Sequence, residues 1–140
     1  MNPAGTSRVR ALALVAFRIA FGLMFMQHGM QKRWGWFTDM DPFPITSQLG
    51  LAGILELWGG LLIVLGLFTR PVALVLASEM VVAYFQAHLP QGAVPVQNGG
   101  ELAVLYAFAF LYLAAAGSGR FSLDGVLAAR RGAAAETAPA

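Results

Sequence analysis

The sequence contains no cysteine and few charged residues. Without cysteine, the 140-residue chain has no disulfide, thiol nucleophile, iron–sulfur ligand or cysteine-bound zinc. Only 11% of its residues are charged, whereas about 25% is usual in a soluble domain, and 58% are hydrophobic. A soluble protein of this size cannot bury so much apolar surface, because most of its volume lies close to its surface. We therefore expect a bilayer to cover it.

Four apolar stretches are long enough to cross a membrane as helices, since a hydrocarbon core of about 30 Å needs about 20 apolar residues. The predicted spans are residues 9–29, 49–68, 71–89 and 100–117. Pro71 suits a first helical turn, which makes Thr69-Arg70 a tight link. The aromatic-rich segment 30–48 is either interfacial or partly re-entrant. The predicted fold is an all-α, polytopic membrane four-helix bundle over residues 1–124, followed by a disordered tail, 125–140.

The basic residues predict the orientation of these spans. Lys32 and Arg33 fall on one side of the predicted membrane, and six arginines fall on the other: Arg8, Arg10, Arg70, Arg120, Arg130 and Arg131. Cytoplasmic loops carry the excess of Lys and Arg, so both termini are predicted to be cytoplasmic. The net charge of +2 is small and the basic residues lie between apolar runs. The sequence therefore predicts membrane lipid as a partner and no nucleic acid.

Three ionisable residues, Arg18, Glu56 and Glu79, lie well inside the predicted spans. A charge at the centre of a membrane costs about 2.5–3.5 kcal/mol, so we expect these side chains to face the helix interior and to pair. Helical spacing places Glu56 on the same face as small glycines, which allow close helix approach. By depth, we expect Arg18 to contact Glu56, Glu79 or both. The alternative is that such a pair only fixes which helices meet.

A second polar set, His28, His88 and Glu101, is predicted near the outer rim, with Glu56 beneath it. These side chains predict an outward-facing ligand pocket inside the bundle. The alternatives are interfacial hydrogen bonding by the histidines and capping of a helix start by Glu101. Neither a metal nor a haem is expected, because the Glu-x-x-His pairing of di-iron bundles is missing and both histidines lie near the rim.

Taken together, these residues resemble the DoxX family of small bacterial membrane proteins. The resemblance covers the span Arg18 to Asp124. Its motifs are the following: Arg18, the 27–32 turn Gln-His-Gly-Met-Gln-Lys, Gly53-x-x-Glu56-x-x-Gly59-Gly60, Gly66-x-x-Thr69-Arg70-Pro71, Asn98-Gly99-Gly100-Glu101, and the 117–124 segment Gly-Ser-Gly-Arg-Phe-Ser-Leu-Asp.

The resemblance implies a multi-pass protein of the bacterial inner membrane. It also implies a link to membrane redox or oxidative-stress systems, in which family members are associated with quinone-linked oxidoreductases. The motif positions that carry over are Arg18, His28, Lys32, Glu56, Asn98 and Glu101. Glu79 and His88 match no motif of the family. The absence of cysteine argues against direct thiol chemistry in this chain.

Three functions remain as hypotheses. The first is binding of a quinone-like or other small amphipathic molecule in the outer half of the membrane, with turnover only as part of an oxidoreductase complex with a redox partner protein. The second is a non-enzymatic subunit or assembly factor. The third is a small-molecule permease, which needs a homo-oligomer, because four helices leave little room for a path. Glu56, Glu79 and Glu101 at stepped depths are its candidate proton carriers.

Overall fold

The structure, a computed structural model, describes residues 3–136, in which every regular element is helical. Its helices are α1 (Pro3–Trp34), α2 (Gln48–Leu65), α3 (Thr69–Ala83), α4 (Pro95–Asn98), α5 (Glu101–Ala116) and α6 (Leu123–Glu136). A π-helical turn, Tyr84–His88, and a 3-10 turn, Leu89–Gln91, continue α3. No strand occurs within residues 3–136, which confirms the predicted all-α class.

Three of these helical segments are long and apolar enough to cross a membrane: Ser7–Trp34, Gln48–Leu65 and Thr69–Gln91. The fourth predicted span corresponds to α5, which is apolar but only 16 residues long. Composition therefore predicted the apolar helices correctly.

Two boundaries differ from the prediction. The first helix ends at Trp34 rather than near residue 29, so Lys32 and Arg33 are helical. The predicted disordered tail is wrong for residues 125–136, which form most of α6, while residues 137–140 lie outside the described part. An Ala-rich sequence has high intrinsic helix propensity, which the compositional argument for disorder neglected.

The sequence predicted Thr69-Arg70 as the turn between α2 and α3. In the structure, Gly66 forms this turn. Gly66 has φ 66°, a left-handed conformation that glycine adopts without strain. Its N–H donates to Ile63 O and the next N–H donates to Leu62 O, the Schellman pattern that closes a helix end. Pro71 lies in the first turn of α3, as predicted.

Glycines let α1 and α2 pack with their backbones in contact. A Cβ atom on Gly22 would lie 2.9 Å from Gly60 O, and one on Gly29 would lie 2.8 Å from Gly53 O. Gly22 and Gly29 are seven residues apart in α1, and Gly53 and Gly60 are seven residues apart in α2. Each pair therefore lies on one face of its helix. Small residues that allow such close approach are typical of helix contacts in membranes.

The other helices complete a common core. α3 packs mainly on α5, and α2 and α3 share a smaller contact. The fully buried side chains at the centre include Phe25, Ile63, Leu76 and Phe110. We call the end with Gly66 and segment 117–122 the turn end. The opposite end, with segments 35–47 and 84–100, is the loop end.

The contact between α1 and α2 predicts the effect of Gly29→Ala. The new Cβ would lie 2.5 Å from Leu57 N, and backbone cannot move aside without separating the helices. We expect a loss of about 1–3 kcal/mol of stability, as for overpacked sites, measured as a lower thermal midpoint in detergent. The control is Gly132→Ala in α6, where a Cβ meets nothing within 4 Å. An unchanged midpoint for Gly29→Ala would show that the helices do not touch there.

Candidate functional site

Lys32 and Glu56 form an ion pair inside the helical core, between α1 and α2. Lys32 Nζ lies 2.7 Å from Glu56 Oε1 and 2.6 Å from Oε2, and Glu56 is only 3% exposed. Gly53 makes this approach feasible, because a Cβ atom there would lie 2.9 Å from Lys32 Cβ. The pair gives each charge a counterion, which a charged group in an apolar environment requires.

Glu79 lies near this pair on α3 but has no partner of its own. Both of its carboxyl oxygens are buried, and neither has a hydrogen-bond partner among the described residues. Glu79 is within electrostatic range of Glu56 and Lys32. Two carboxyl groups thus share one lysine, and the lysine is bonded to Glu56. Glu79 is therefore the group that can bond to a ligand, or exchange a proton, without breaking the ion pair.

A cleft of about 590 Å³ between α2 and α3 contains these groups, within the usual size range of ligand pockets. Lys32, Glu56, Ser78 and Glu79 supply its polar lining. Its remaining wall is largely apolar and includes side chains that are about half exposed at the outside of the helices: Leu51, Leu55, Val75 and Val82. The cleft therefore opens sideways, toward the surface that lipid covers.

The Gln48 and Gln86 side chains close the loop end of the cleft by hydrogen bonding to each other. Both line the cleft. They join α2 to the π-helical turn after α3, so the opening lies between the helices rather than at their ends.

Arg18 is not part of this cleft, and its predicted contact with Glu56 or Glu79 is wrong. Its guanidinium lies at the turn end, where it donates to Ser118 O at 2.8 Å and Phe121 O at 3.0 Å. The depth estimate assumed that α1 entered the membrane near Val9. In the structure the part of α1 that packs on α2 continues to Lys32, which shifts Arg18 toward the other end. Lys32 takes the place that Arg18 was expected to hold.

Asp124 completes the turn end by capping α3. Its carboxylate accepts hydrogen bonds from Phe68 N at 2.9 Å and Thr69 N at 3.0 Å. Burial raises the pKa of this carboxyl, but the hydrogen bonds from Thr69, Phe68 and Ser118 together lower it by more. Its pKa therefore lies below the ordinary value of 3.8. In the sequence, Asp124 is only the last residue of the 117–124 motif, and the motif assigns it no role.

Asp124 gives a pH dependence with a defined sign. Because folding lowers its pKa, its contribution to stability is fully present above the ordinary value of 3.8. The contribution is lost as the pH falls through the lower folded-state pKa. We expect Asp124→Asn to cost about 1 kcal/mol near pH 7, because the amide has only one acceptor oxygen and leaves one of the two N–H groups without its hydrogen bond. The difference in thermal midpoint between wild type and variant should shrink below about pH 4. A difference that is independent of pH would contradict this role.

The other predicted site residues lie away from the cleft. His28 packs edge-on against Tyr106, with ring centroids 5.8 Å apart. His88 Nδ1 lies 3.1 Å from Asn98 O, and Glu101 is exposed at the start of α5. None of these three side chains lines the cleft that contains Glu56, and their convergence above Glu56 stays a prediction.

Asn98 has a structural role that its motif did not reveal. It donates to Gly92 O at 2.6 Å, and its Oδ1 accepts from Gly100 N at 2.8 Å. It thereby shapes the connection between α3 and α5. Over residues 3–136, no three His, Asp or Glu side chains are grouped as metal ligands.

The ion pair predicts a non-additive pair of substitutions. Lys32→Met leaves the Glu56 carboxylate buried and unpaired, so we expect a loss of about 3–5 kcal/mol of stability. Adding Glu56→Gln removes the stranded charge and should restore most of that loss. A double-mutant cycle of thermal or denaturant midpoints measures this coupling. Additive effects of the two substitutions would show that the side chains do not pair.

The apolar helices, together with charges that pair inside them, define this chain as a multi-pass helical membrane protein. It belongs to the DoxX family, whose profile matches residues 13–89. The matched region contains Arg18, Lys32, Glu56 and Glu79, and ends before Asn98 and Glu101. The matched region therefore includes all the charged residues that line the cleft.

Two proteins of Haemophilus influenzae are similar over most of their length. One is 38% identical over 130 residues, which covers 84% of this chain and 92% of the relative. The other is 31% identical over 123 residues, which covers 81% of this chain and 82% of the relative. Both are described as uncharacterized proteins. No solved structure matches this chain.

Proposed function

We propose that this DoxX-family protein binds a small amphipathic molecule with a quinone-like head group in the cleft between α2 and α3. The observation that carries the proposal is Glu79, whose two buried oxygens have no hydrogen-bond partner in the described part of the chain and lie in a cleft that opens toward lipid. A buried polar group without a hydrogen bond costs stability. A ligand that supplies the missing hydrogen bond removes that cost, and the hydrogen bond contributes to the affinity of the ligand.

The cleft divides naturally between a head group and an apolar tail. The Glu79 carboxyl meets a ligand oxygen, and the Lys32–Glu56 pair provides the polar floor beside it. Leu55 and Val75, on the open side, contact the apolar part. A bound quinone supplies coupled electron and proton transfer. The contribution of the protein is to orient the head group and to hold or release a proton at the Glu79 carboxyl.

The proposal includes the topology. We infer that α1, α2, α3 and α5 all span the bacterial inner membrane as a four-helix bundle, with the turn end and both termini in the cytoplasm. The arginines Arg70 and Arg120 lie at the turn end, whereas Lys32 at the loop end is paired inside the core. The short α5 matches the bilayer by local thinning of the lipid, at modest cost. The cleft then opens in the outer half.

Redox turnover in this proposal requires a partner protein. Outside its helices, the described part of the chain consists of short connections, the longest being residues 35–47, with no room for a second redox centre. The chain therefore acts as the quinone-binding subunit of a membrane redox or oxidative-stress system.

The same shortage of extramembrane mass favours the second candidate, a non-enzymatic subunit or assembly factor, in which the cleft holds no ligand.

Glu79→Leu separates ligand binding from stability. The variant removes an unpartnered buried carboxyl, so we expect it to be at least as stable as wild type. We expect its affinity for a short-chain ubiquinone analogue to fall several-fold, since a hydrogen bond from a neutral carboxyl group contributes about 0.5–1.5 kcal/mol. Calorimetric titration of the protein in nanodiscs measures this.

The matched control is Glu101→Leu, which removes an exposed carboxyl outside the cleft and should leave affinity unchanged. Equal effects of the two substitutions, or no binding by wild type, would reject the proposed site. In the second case, co-purification of a stable protein partner would favour the assembly factor.

A further inference from the structure

A second groove, of about 790 Å³, runs along the outside of the helices between the N-terminal half of α1 and α5. Its walls are apolar and partly aromatic, and they include Phe17, Phe21, Phe108 and Tyr112. One charged residue, Arg10, lines it. This groove is on a different face from the cleft, and the proposed function does not use it. We propose that it binds an anionic phospholipid, with an acyl chain along the groove and the phosphate at Arg10.

The depth of Arg10 fits the phosphate of a lipid. Leu14, one helical turn further along α1, is in contact range of Gly119, because a Cβ on that glycine would lie 3.0 Å from Leu14 Cδ2. Gly119 follows the end of α5 at Ala116. Arg10 therefore lies about 6 Å beyond the end of α5, from a rise of about 1.5 Å per residue. That level corresponds to the head groups when α5 spans the hydrocarbon.

The length of the groove fits an acyl chain from one leaflet. Arg10 and Phe21 mark its extent along α1, and eleven residues of helix cover about 16 Å. About 6 Å of this length lies at head-group level, which leaves about 10 Å for the first part of an acyl chain in a leaflet about 15 Å deep. Phe17 and Phe21 pack with ring centroids 4.4 Å apart, and Phe17 meets Tyr112 edge-on at 5.4 Å. These contacts hold the aromatic wall in place whether or not a lipid is present.

The charge of the groove favours an anionic lipid over a second copy of this chain. Two parallel copies related by a twofold axis along the membrane normal would bring the same residues together at the same depth. Arg10 would then oppose its own counterpart, and no described residue forms an ion pair with it. Like charges in contact repel, whereas a phosphate supplies the missing counterion.

The experiment compares lipid affinities of the delipidated full chain, using native mass spectrometry with dioleoyl phosphatidylglycerol and dioleoyl phosphatidylcholine. We expect wild type to prefer the anionic lipid about fivefold, the effect of one arginine beside an anionic lipid. Arg10→Gln should abolish that preference. Arg8→Gln removes the same charge two residues away, outside the groove lining, and should keep it. Retention of the preference in Arg10→Gln, or equal loss in Arg8→Gln, would overturn the proposal.

A second variant tests the groove itself. Ala13 is exposed and lines the groove, so Ala13→Trp should fill it and weaken binding of both lipids by several fold, with an unchanged thermal midpoint. Light scattering without lipid measures the oligomeric state, which tests whether a second copy of the chain occupies the groove. A wild-type dimer that Ala13→Trp dissociates would show that a second copy fills the groove, and would reject the lipid site. Unchanged lipid binding in Ala13→Trp would also reject it.

Discussion

One lysine is placed between two carboxyl groups in an otherwise apolar set of helices, and this constraint shapes the rest of the molecule. Lys32 can neutralise only one charge, and it binds both oxygens of Glu56. Glu79 is left close to the pair without a hydrogen bond. A buried ion pair alone contributes little net stability, because desolvation offsets most of its attraction. Its effect here is to join α1 to α2 at a fixed register.

The two ends of the helical core differ in how firmly they are held. At the turn end, Arg18 ties α1 to the segment after α5, and Asp124 ties that same segment to the start of α3. Gly66 is pressed against the Arg18 guanidinium, so a larger residue has no space there. At the loop end, a single hydrogen bond between Gln48 and Gln86 joins α2 to the continuation of α3. The cleft lies between helices that are fixed at one end and lightly joined at the other.

The sequence predicted the helices well because a long hydrophobic run marks an apolar surface that lipid or other helices must cover. It also predicted that Arg18 and Glu56 are buried, because a charged group inside an apolar span is costly to expose to lipid. It failed on partners, because an apolar run does not reveal which part of a longer helix lies at which depth. Lys32, fourteen residues or about 21 Å further along α1, occupies the place expected for Arg18. The stripe Gly22, Phe25, Gly29, Lys32 follows helical spacing and would have identified the lysine.

The role of Asp124 could not be predicted from local pattern. Its partners, the N–H groups of Phe68 and Thr69, are more than fifty residues away in the chain, and only the packed helices bring them together. The groups at the loop end show the same limit. A shared level along the membrane normal does not determine direction around a helix. The ring of His28 contacts Tyr106, whereas His88 Nδ1 lies near Asn98 O.

The π-helical turn after α3 contains one residue more than a regular α-helix of the same rise. Leu89 N bonds to Tyr84 O, five residues back, and each added residue rotates all that follows by about 100°. Ser78 and Glu79 precede this turn, so their orientation is independent of the extra residue, whereas Gln86, which closes the loop end of the cleft, lies within it. A homologue one residue shorter in this stretch keeps the polar lining from α3 and turns position 88 away from Asn98. A length change at this point thus alters the closure of the cleft and the connection that follows it, and leaves the carboxyl lining from α3 in place.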